Sequence, residues 1–94
     1  FNIQGAPMKI KNNLILREIA GSWIIVPVSE MVVEFNGLMN LNESGAFLWK
    51  MLAEGAEMDD LVSGFLKEYD VDEETARADI KEFIDLLKEK GLLQ

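Results

Sequence analysis

The strongest constraint on the fold is a change of hydrophobic period in the stretch LNESGAFLWKML, residues 41–52. A short apolar run typical of a strand ends at Leu41, and apolar residues at helical spacing begin a few positions later. Asn42 can cap that helix, because its side-chain oxygen can accept a hydrogen bond from a free amide of the first turn. A strand and a helix joined with almost no loop are held at a fixed angle, so a rigid corner is expected here.

Short segments rich in β-branched and aromatic residues precede this corner and predict a small antiparallel meander. Their expected bounds are Leu14–Ala20, Ser22–Val28, Met31–Phe35 and Leu38–Leu41. The pairs Gly21-Ser22 and Asn36-Gly37 mark turns between them.

Three short helices are expected after the corner. The first ends at Gly55, the second runs from about Met58 to Tyr69, and the third begins after Asp72 and ends at Gly91. The apolar stripe of the third helix consists of Ala76, Ile80, Phe83, Ile84 and Leu87. Strands followed by helices predict one α+β domain of winged helix-turn-helix-like type, with an N-terminal antiparallel sheet followed by three α-helices.

Two tryptophans, Trp23 and Trp49, are assigned to the core rather than to a binding site. In the first helix Phe47, Leu48, Met51 and Leu52 recur at helical spacing. Trp49 lies beside Leu48 but off the Phe47/Met51 stripe, so it is expected to be partly exposed.

Nothing in the sequence predicts catalytic, cofactor or metal chemistry. The chain has no cysteine and no histidine, which removes thiolate chemistry and the commonest general base and metal ligand. The acidic clusters Asp59-Asp60 and Asp72-Glu73-Glu74 lie at predicted helix starts, where carboxylates are stabilised by the helix dipole. We therefore expect a protein that is not an enzyme.

The charge argues against a nucleic-acid partner. The formal net charge is −8, and from Asn42 onward six basic residues stand against fourteen acidic ones. Phosphate backbones need a basic face. The longest uninterrupted apolar run, Trp23–Val28, is too short for a membrane span, and no secretory signal pattern is present. A cytoplasmic protein that does not bind membranes is expected.

Two surfaces are candidates for binding a partner. Arg77, Lys81 and Lys88 share one flank of the third helix and could receive an acidic peptide, or they could simply balance neighbouring carboxylates. An exposed edge of the small sheet could accept an extended peptide as an added strand.

The combined order of these segments resembles the PqqD family, named for coenzyme PQQ synthesis protein D. The resemblance lies in LNESGAFLWKMLAEG and LVSGFLKEYDVDEETARADIKEFIDLLKEKGLL, and upstream in ILREIAGSWIIVPV and EFNGLMNLNESG. It covers Met8–Leu93, so residues 8–94 are expected to form a single PqqD-like peptide-recognition domain. Residues 1–7 are expected to be a cloning remnant or a disordered arm.

The resemblance implies a module that recognises the leader of a ribosomally made precursor peptide and presents it to a modifying enzyme. That enzyme would be a radical S-adenosylmethionine protein or another peptide-modifying enzyme. The leader would add a strand to the sheet edge, in a cleft against the third helix. A winged-helix DNA-binding regulator and a general protein-interaction adaptor remain alternatives, and a homodimer is compatible with the sequence.

Peptide-binding residues follow from this resemblance. Backbone contacts are expected from Leu38, Met39, Asn40 and Leu41, or from the strand Met31–Phe35. Arg77, Lys81 and Lys88 would steer acidic leader residues. Apolar contact would come from the residues of the third helix that are not core, among Ile80, Phe83, Ile84 and Leu87.

Overall fold

The computed structural model describes residues 7–27 and 39–94. In chain order its elements are β1 Leu14–Ile19, β2 Ser22–Pro27, β3 Met39–Leu41, α1 Glu43–Glu54, α2 Met58–Glu68 and α3 Glu73–Glu89. The expected α+β class, a small antiparallel sheet followed by three helices, is confirmed. The predicted strand Met31–Phe35, the Asn36-Gly37 turn and Leu38 lie outside the described residues, and so do residues 1–6 of the expected N-terminal arm.

The sheet has the order β1-β2-β3, and both pairs are antiparallel. Ile19 pairs with Ser22, so the connection between β1 and β2 is the two-residue turn Ala20-Gly21. Both turn residues have positive φ, 53° and 83°, as a type I′ hairpin requires. The expected strand end at Ala20 and the expected turn at Gly21-Ser22 were therefore wrong by one residue.

The corner between β3 and α1 is as short as the sequence indicates. The Asn42 Oδ1 atom accepts a hydrogen bond of 2.8 Å from the Gly45 amide, and the Asn42 carbonyl accepts one of 2.9 Å from Ala46. The turn is tight at Gly45, because a Cβ atom at this position would lie 3.1 Å from Asn42 Oδ1 and would press on the capping oxygen. The cap, the strand end and the helix start are thus packed directly against one another.

Helix α1 lies at the centre of the domain and contacts β1, β3 and α2. Its buried face holds Leu48, Trp49 and Leu52, and Trp49 is only 2% exposed. The assignment of Trp49 to the core is confirmed, and the expected partial exposure was wrong. Of the apolar residues predicted at helical spacing in α1, Leu48 and Leu52 are buried, whereas Phe47 and Met51 are half-buried. The Leu48/Leu52 side of the helix therefore faces the core.

Helix α3 packs on α2 through the predicted stripe. Ala76, Ile80, Ile84 and Leu87 are buried, and Phe83 is half-buried at the border of the stripe. With 17 residues α3 is the longest helix of the described residues, and none of those helices has the length and apolarity needed to cross a membrane.

A short N-terminal segment, which the sequence did not predict, joins the two ends of the domain. Met8 exchanges two backbone hydrogen bonds of 2.9 Å with Ala56, just after α1. The Ile10 amide donates to Leu52, and Lys11 donates to Leu92 beyond α3. The chain before β1 therefore fastens the end of α1 to the chain following α3.

The cap at the corner can be tested by substitution. Replacing Asn42 by alanine leaves the Gly45 amide without its acceptor, so we expect the free energy of unfolding to fall by about 1 kcal/mol. Urea denaturation followed by circular dichroism measures the change. Asn42→Asp, which keeps a side-chain acceptor, is the control and should retain nearly all of the stability. An equal loss in both variants would contradict the capping role.

A second cap makes the start of α3 sensitive to pH. Asp72 Oδ1 accepts a hydrogen bond of 2.9 Å from the Thr75 amide. Hydrogen bonds from the side chain and backbone of Thr75 hold the pKa of Asp72 below its ordinary value of 3.8. Because the pKa is lower in the folded state, the charged Asp72 stabilises the fold at pH values above its ordinary pKa. This contribution is lost as the pH falls through the folded pKa.

We expect the chemical shift of the Thr75 amide proton to change with pH in the folded protein, with a midpoint below 3.8. An NMR titration measures it, with Asp72→Asn as the control that keeps the cap and removes the titrating group. A midpoint at or above the ordinary value would show that the cap does not favour the charged carboxylate.

Candidate functional site

A groove of about 410 Å³ lies between the β3–α1 corner and α3. Asn42, Ser44 and Gly45 form its corner side. These residues follow β3 directly, so the groove begins where the strand ends.

The opposite wall of the groove comes from one flank of α3. It consists of Asp79, Glu82, Phe83 and Leu86, spaced so that they lie along one side of the helix. Leu86 is 37% exposed and Phe83 is half-buried, so the wall offers apolar surface to solvent. The two carboxylates lie along the same wall and are exposed. The groove can therefore contact both an apolar group and a cation.

The floor of the groove is formed by Leu48 and Phe65, both buried. Phe65 packs against Tyr69 with ring centroids 4.7 Å apart, and Phe47 packs against the edge of Tyr69 at 5.8 Å. Burial, followed by the nearby Glu43 and Glu68 charges, raises the pKa of Tyr69. An aromatic cluster of this kind supports the floor from below.

Strand β3 is an edge within the part of the chain that the structure describes. There it pairs with β2 alone, Trp23 opposite Leu41 and Ile25 opposite Met39. Alternate residues of a strand direct their backbone groups to opposite sides, so β3 presents hydrogen-bonding groups away from β2. Asn40 is exposed, whereas Met39 and Leu41 pack against the core.

The predicted basic residues are placed on the other flank of α3. A helix turns by about 100° per residue, so Arg77, Lys81 and Lys88 lie across the buried stripe from the groove wall. Arg77 forms ion pairs with Asp59 at 3.2 Å and Glu73 at 3.0 Å. These carboxylates raise the pKa of Arg77, with Glu73 the larger influence.

The other predicted α3 residues have different surroundings. Lys81 pairs with Asp85 at 3.0 Å, and Lys88 is exposed. Ile84 is 3% exposed and belongs to the core, beneath the surface residues of the groove wall. Of the residues expected to contact the peptide on α3, only Phe83 lines the groove, and the three basic residues and Ile84 do not.

Sequence reasoning missed most of the groove lining, although one signal was available. The predicted stripe accounts for the core without Asp79, Glu82 and Leu86, so the sequence analysis gave these three residues no role in the site. An apolar Leu86 one turn beyond Phe83 widens that stripe on one side only. Such an asymmetric stripe indicates which flank offers extra apolar surface.

A second groove, of about 660 Å³, lies between α1 and α2 on the other side of α1. Phe47, Met51 and Gly64 form its apolar part. A Cβ atom at Gly64 would lie 3.1 Å from the Met51 sulfur, so glycine lets the two helices approach closely here. Beside this groove the Lys50 ammonium lies 4.4 Å from the centre of the Trp23 ring, a cation–π contact.

The acidic side chains that the structure describes do not gather into a metal site. In residues 7–27 and 39–94 no group of three or more histidine, cysteine, aspartate or glutamate residues is placed to hold a metal ion.

A family model decides the relationship of this chain to known proteins. The model for coenzyme PQQ synthesis protein D (PqqD) matches residues 23–93. The chain belongs to the PqqD family. The resemblance found in the sequence is thereby confirmed, although the match begins later than the expected start at Met8. In this PqqD-family chain the matched range holds both sides of the groove, the β3–α1 corner and α3.

Two solved structures share the fold. One is of TbiB1 in complex with the TbiA(beta) leader peptide, with 24% identity and a TM-score of 0.73, covering 92% of this chain and 94% of that chain. The other is of lasso peptide synthetase B1 complexed with the leader peptide, with 19% identity and a TM-score of 0.74, covering 95% of this chain and 99% of that chain. No curated protein matches the chain in sequence.

The placement of Leu86 and Ile84 can be tested by cysteine chemistry, because the chain has no cysteine of its own. Leu86→Cys should react readily with a thiol reagent. Ile84→Cys should react at least about a hundredfold more slowly, since a buried thiol must await local opening. Rates measured by absorbance give the comparison, and both variants should react equally in denaturant. Protection of both thiols in the folded protein would contradict an open groove beside Leu86.

Proposed function

We propose that this chain is a non-enzymatic module that binds the leader of a ribosomally synthesised precursor peptide and presents it to a modifying enzyme. The leader adds a strand to the edge of β3 and lies in the groove against α3. The observation that carries this proposal is the groove itself, which has an apolar helix wall and starts at the end of β3, an edge strand among the described residues.

The backbone supplies affinity in this mode of binding. An extended peptide beside β3 satisfies the outward amide and carbonyl groups of the edge, and these bonds do not depend on peptide sequence. The expected contact residues Leu38, Met39, Asn40 and Leu41 stay part of the proposal. Asn42 and Gly45 hold the last of them in a fixed position relative to the groove.

The groove supplies side-chain contact. Alternate side chains of an added strand point towards α3, where Phe83 and Leu86 offer apolar surface. Ile84 supports this wall from the core. The two solved structures with the same fold are of proteins complexed with leader peptides, which favours a peptide as the occupant.

The basic flank of α3 keeps a separate proposed role. Arg77, Lys81 and Lys88 lie away from the groove, so they would act on acidic leader residues that extend beyond it, through longer-range attraction. The modifying enzyme is proposed to be a radical S-adenosylmethionine protein or another peptide-modifying enzyme in the cytoplasm. A homodimer is compatible with this role.

The charge of the helices argues against DNA as the partner. In α2, Asp59, Asp60 and Glu68 stand against Lys67. Two of the three basic residues of α3 are neutralised by ion pairs. A helix that enters a DNA groove needs cations facing the phosphates.

Strand addition can be tested by changing the peptide rather than the protein. The probe is the N-terminal half of a short precursor peptide encoded beside this gene, with its backbone amides methylated one at a time. Methylation at alternate positions should weaken binding by about two- to tenfold each, because each removes one hydrogen bond to β3. Fluorescence anisotropy measures the affinities, and NMR shifts on β3 and α3 map the site.

A pair of protein variants completes this test. Leu86→Ala removes exposed apolar contact from the groove wall and should weaken binding. Glu89→Ala, on the same helix outside the groove lining, should leave it unchanged. Equal sensitivity at every methylated position, or shifts confined to other surfaces, would contradict strand addition at β3.

A further inference from the structure

We propose that the groove selects an extended peptide segment in which a lysine or arginine and an apolar residue are two positions apart. The inference rests on the proposed function and names the chemistry of the peptide that fills the groove. It differs from the steering of acidic leader residues by the basic flank, because it concerns the side chains that contact the groove itself.

Two carboxylates on the groove wall are available for such a cation. Asp79 and Glu82 are exposed and line the groove. Neither forms an ion pair with any residue that the structure describes, whereas Asp59 and Glu73 are bound to Arg77. The carboxylates on the groove wall are thus left for a partner, whereas Arg77 and Lys81 on the other flank are paired within the chain.

The rest of the groove is neutral. Asn42, Ser44 and Gly45 on the corner side carry no charge, and the floor is apolar. An acidic peptide residue in the groove would therefore meet two carboxylates, which repel it, and no basic side chain of the described lining. The whole chain, with a net charge of −8, adds an attraction for a basic segment.

The spacing of the wall fits an added strand. Residues four apart on a helix are separated by about 6 Å along its axis. Alternate residues of a strand are separated by about 6.6 Å and point to the same face. A strand parallel or antiparallel to α3 can therefore place one side chain near Asp79 and its next-but-one neighbour near Phe83.

Glu82 and Leu86 form a second acidic and apolar pair four residues apart, and Glu82 lies about 4.5 Å beyond Asp79 along the helix axis. The two pairs therefore overlap, so the wall has its two carboxylates towards the start of α3 and its two apolar side chains towards the end. A peptide fits this arrangement when it places a cation beside the carboxylates and an apolar residue, two positions away, beside Phe83 and Leu86.

The test uses random dodecapeptides displayed on phage and selected against the full chain. We expect the enriched peptides to carry lysine or arginine in alternation with apolar residues. Synthetic copies are then measured by fluorescence anisotropy, and NMR shifts show whether they occupy residues 39–42 and 79–86.

Charge reversal at the wall gives the decisive comparison. The double variant Asp79→Lys/Glu82→Lys should lower the affinity for the cationic peptides by about fivefold or more at low ionic strength, and by less at high salt. The same variant should bind a peptide with the cation replaced by glutamate more tightly than the original chain does. Glu74→Lys/Glu89→Lys is the matched control, since it changes the net charge equally on α3 outside the groove lining.

The outcomes separate this inference from the proposed function. Peptides that occupy the groove without a preference for a cation, or that respond equally to both double variants, would overturn the inference alone. A failure to enrich any peptide that occupies the groove would overturn strand addition as well. Cationic peptides in the groove, lost on reversal at the wall and retained in the control, would support both.

Discussion

The hydrogen bond from the Gly45 amide to the Asn42 side chain is the interaction on which the candidate site depends. It lets α1 begin directly after β3, and the missing side chain of Gly45 leaves room for the capping oxygen of Asn42. Helix α1 is in turn fixed by Trp49 and Leu52 in the core. The sheet edge, the corner and the groove floor are therefore parts of one rigid unit.

Much of the fold could be predicted because local signals and core packing agree. The caps at Asn42 and Asp72 and the buried stripe of α3 follow from local chemistry and period. The hairpin turn was misplaced because Ala20 has positive φ, a conformation that side chains usually avoid. Trp49 was expected to be partly exposed because it lies off the predicted stripe. It is buried because α1 contacts β1, β3 and α2, and a single stripe does not indicate such enclosure.

The site was harder to predict than the fold. The family resemblance indicated a cleft between an edge strand and α3, but not which flank of α3 faces it. That depends on how the helix is rotated against α2, which is set by packing rather than by local sequence. Arg77 and Lys81 formed the more conspicuous cluster of charge, yet both are occupied by neighbouring carboxylates. The less conspicuous Asp79 and Leu86 line the groove.

An open apolar wall makes physical sense if a ligand covers it. Leu86 and Phe83 contribute less to folding than fully buried residues do, so α3 is held mainly by its buried stripe and by α2. Because the edge and the wall are already fixed, a peptide can dock without rearranging the protein. Backbone bonds to β3 would accept almost any extended chain, so selection among peptides must come from the groove side chains. The pairing of acidic and apolar residues along α3 is the part of the site that can make that selection.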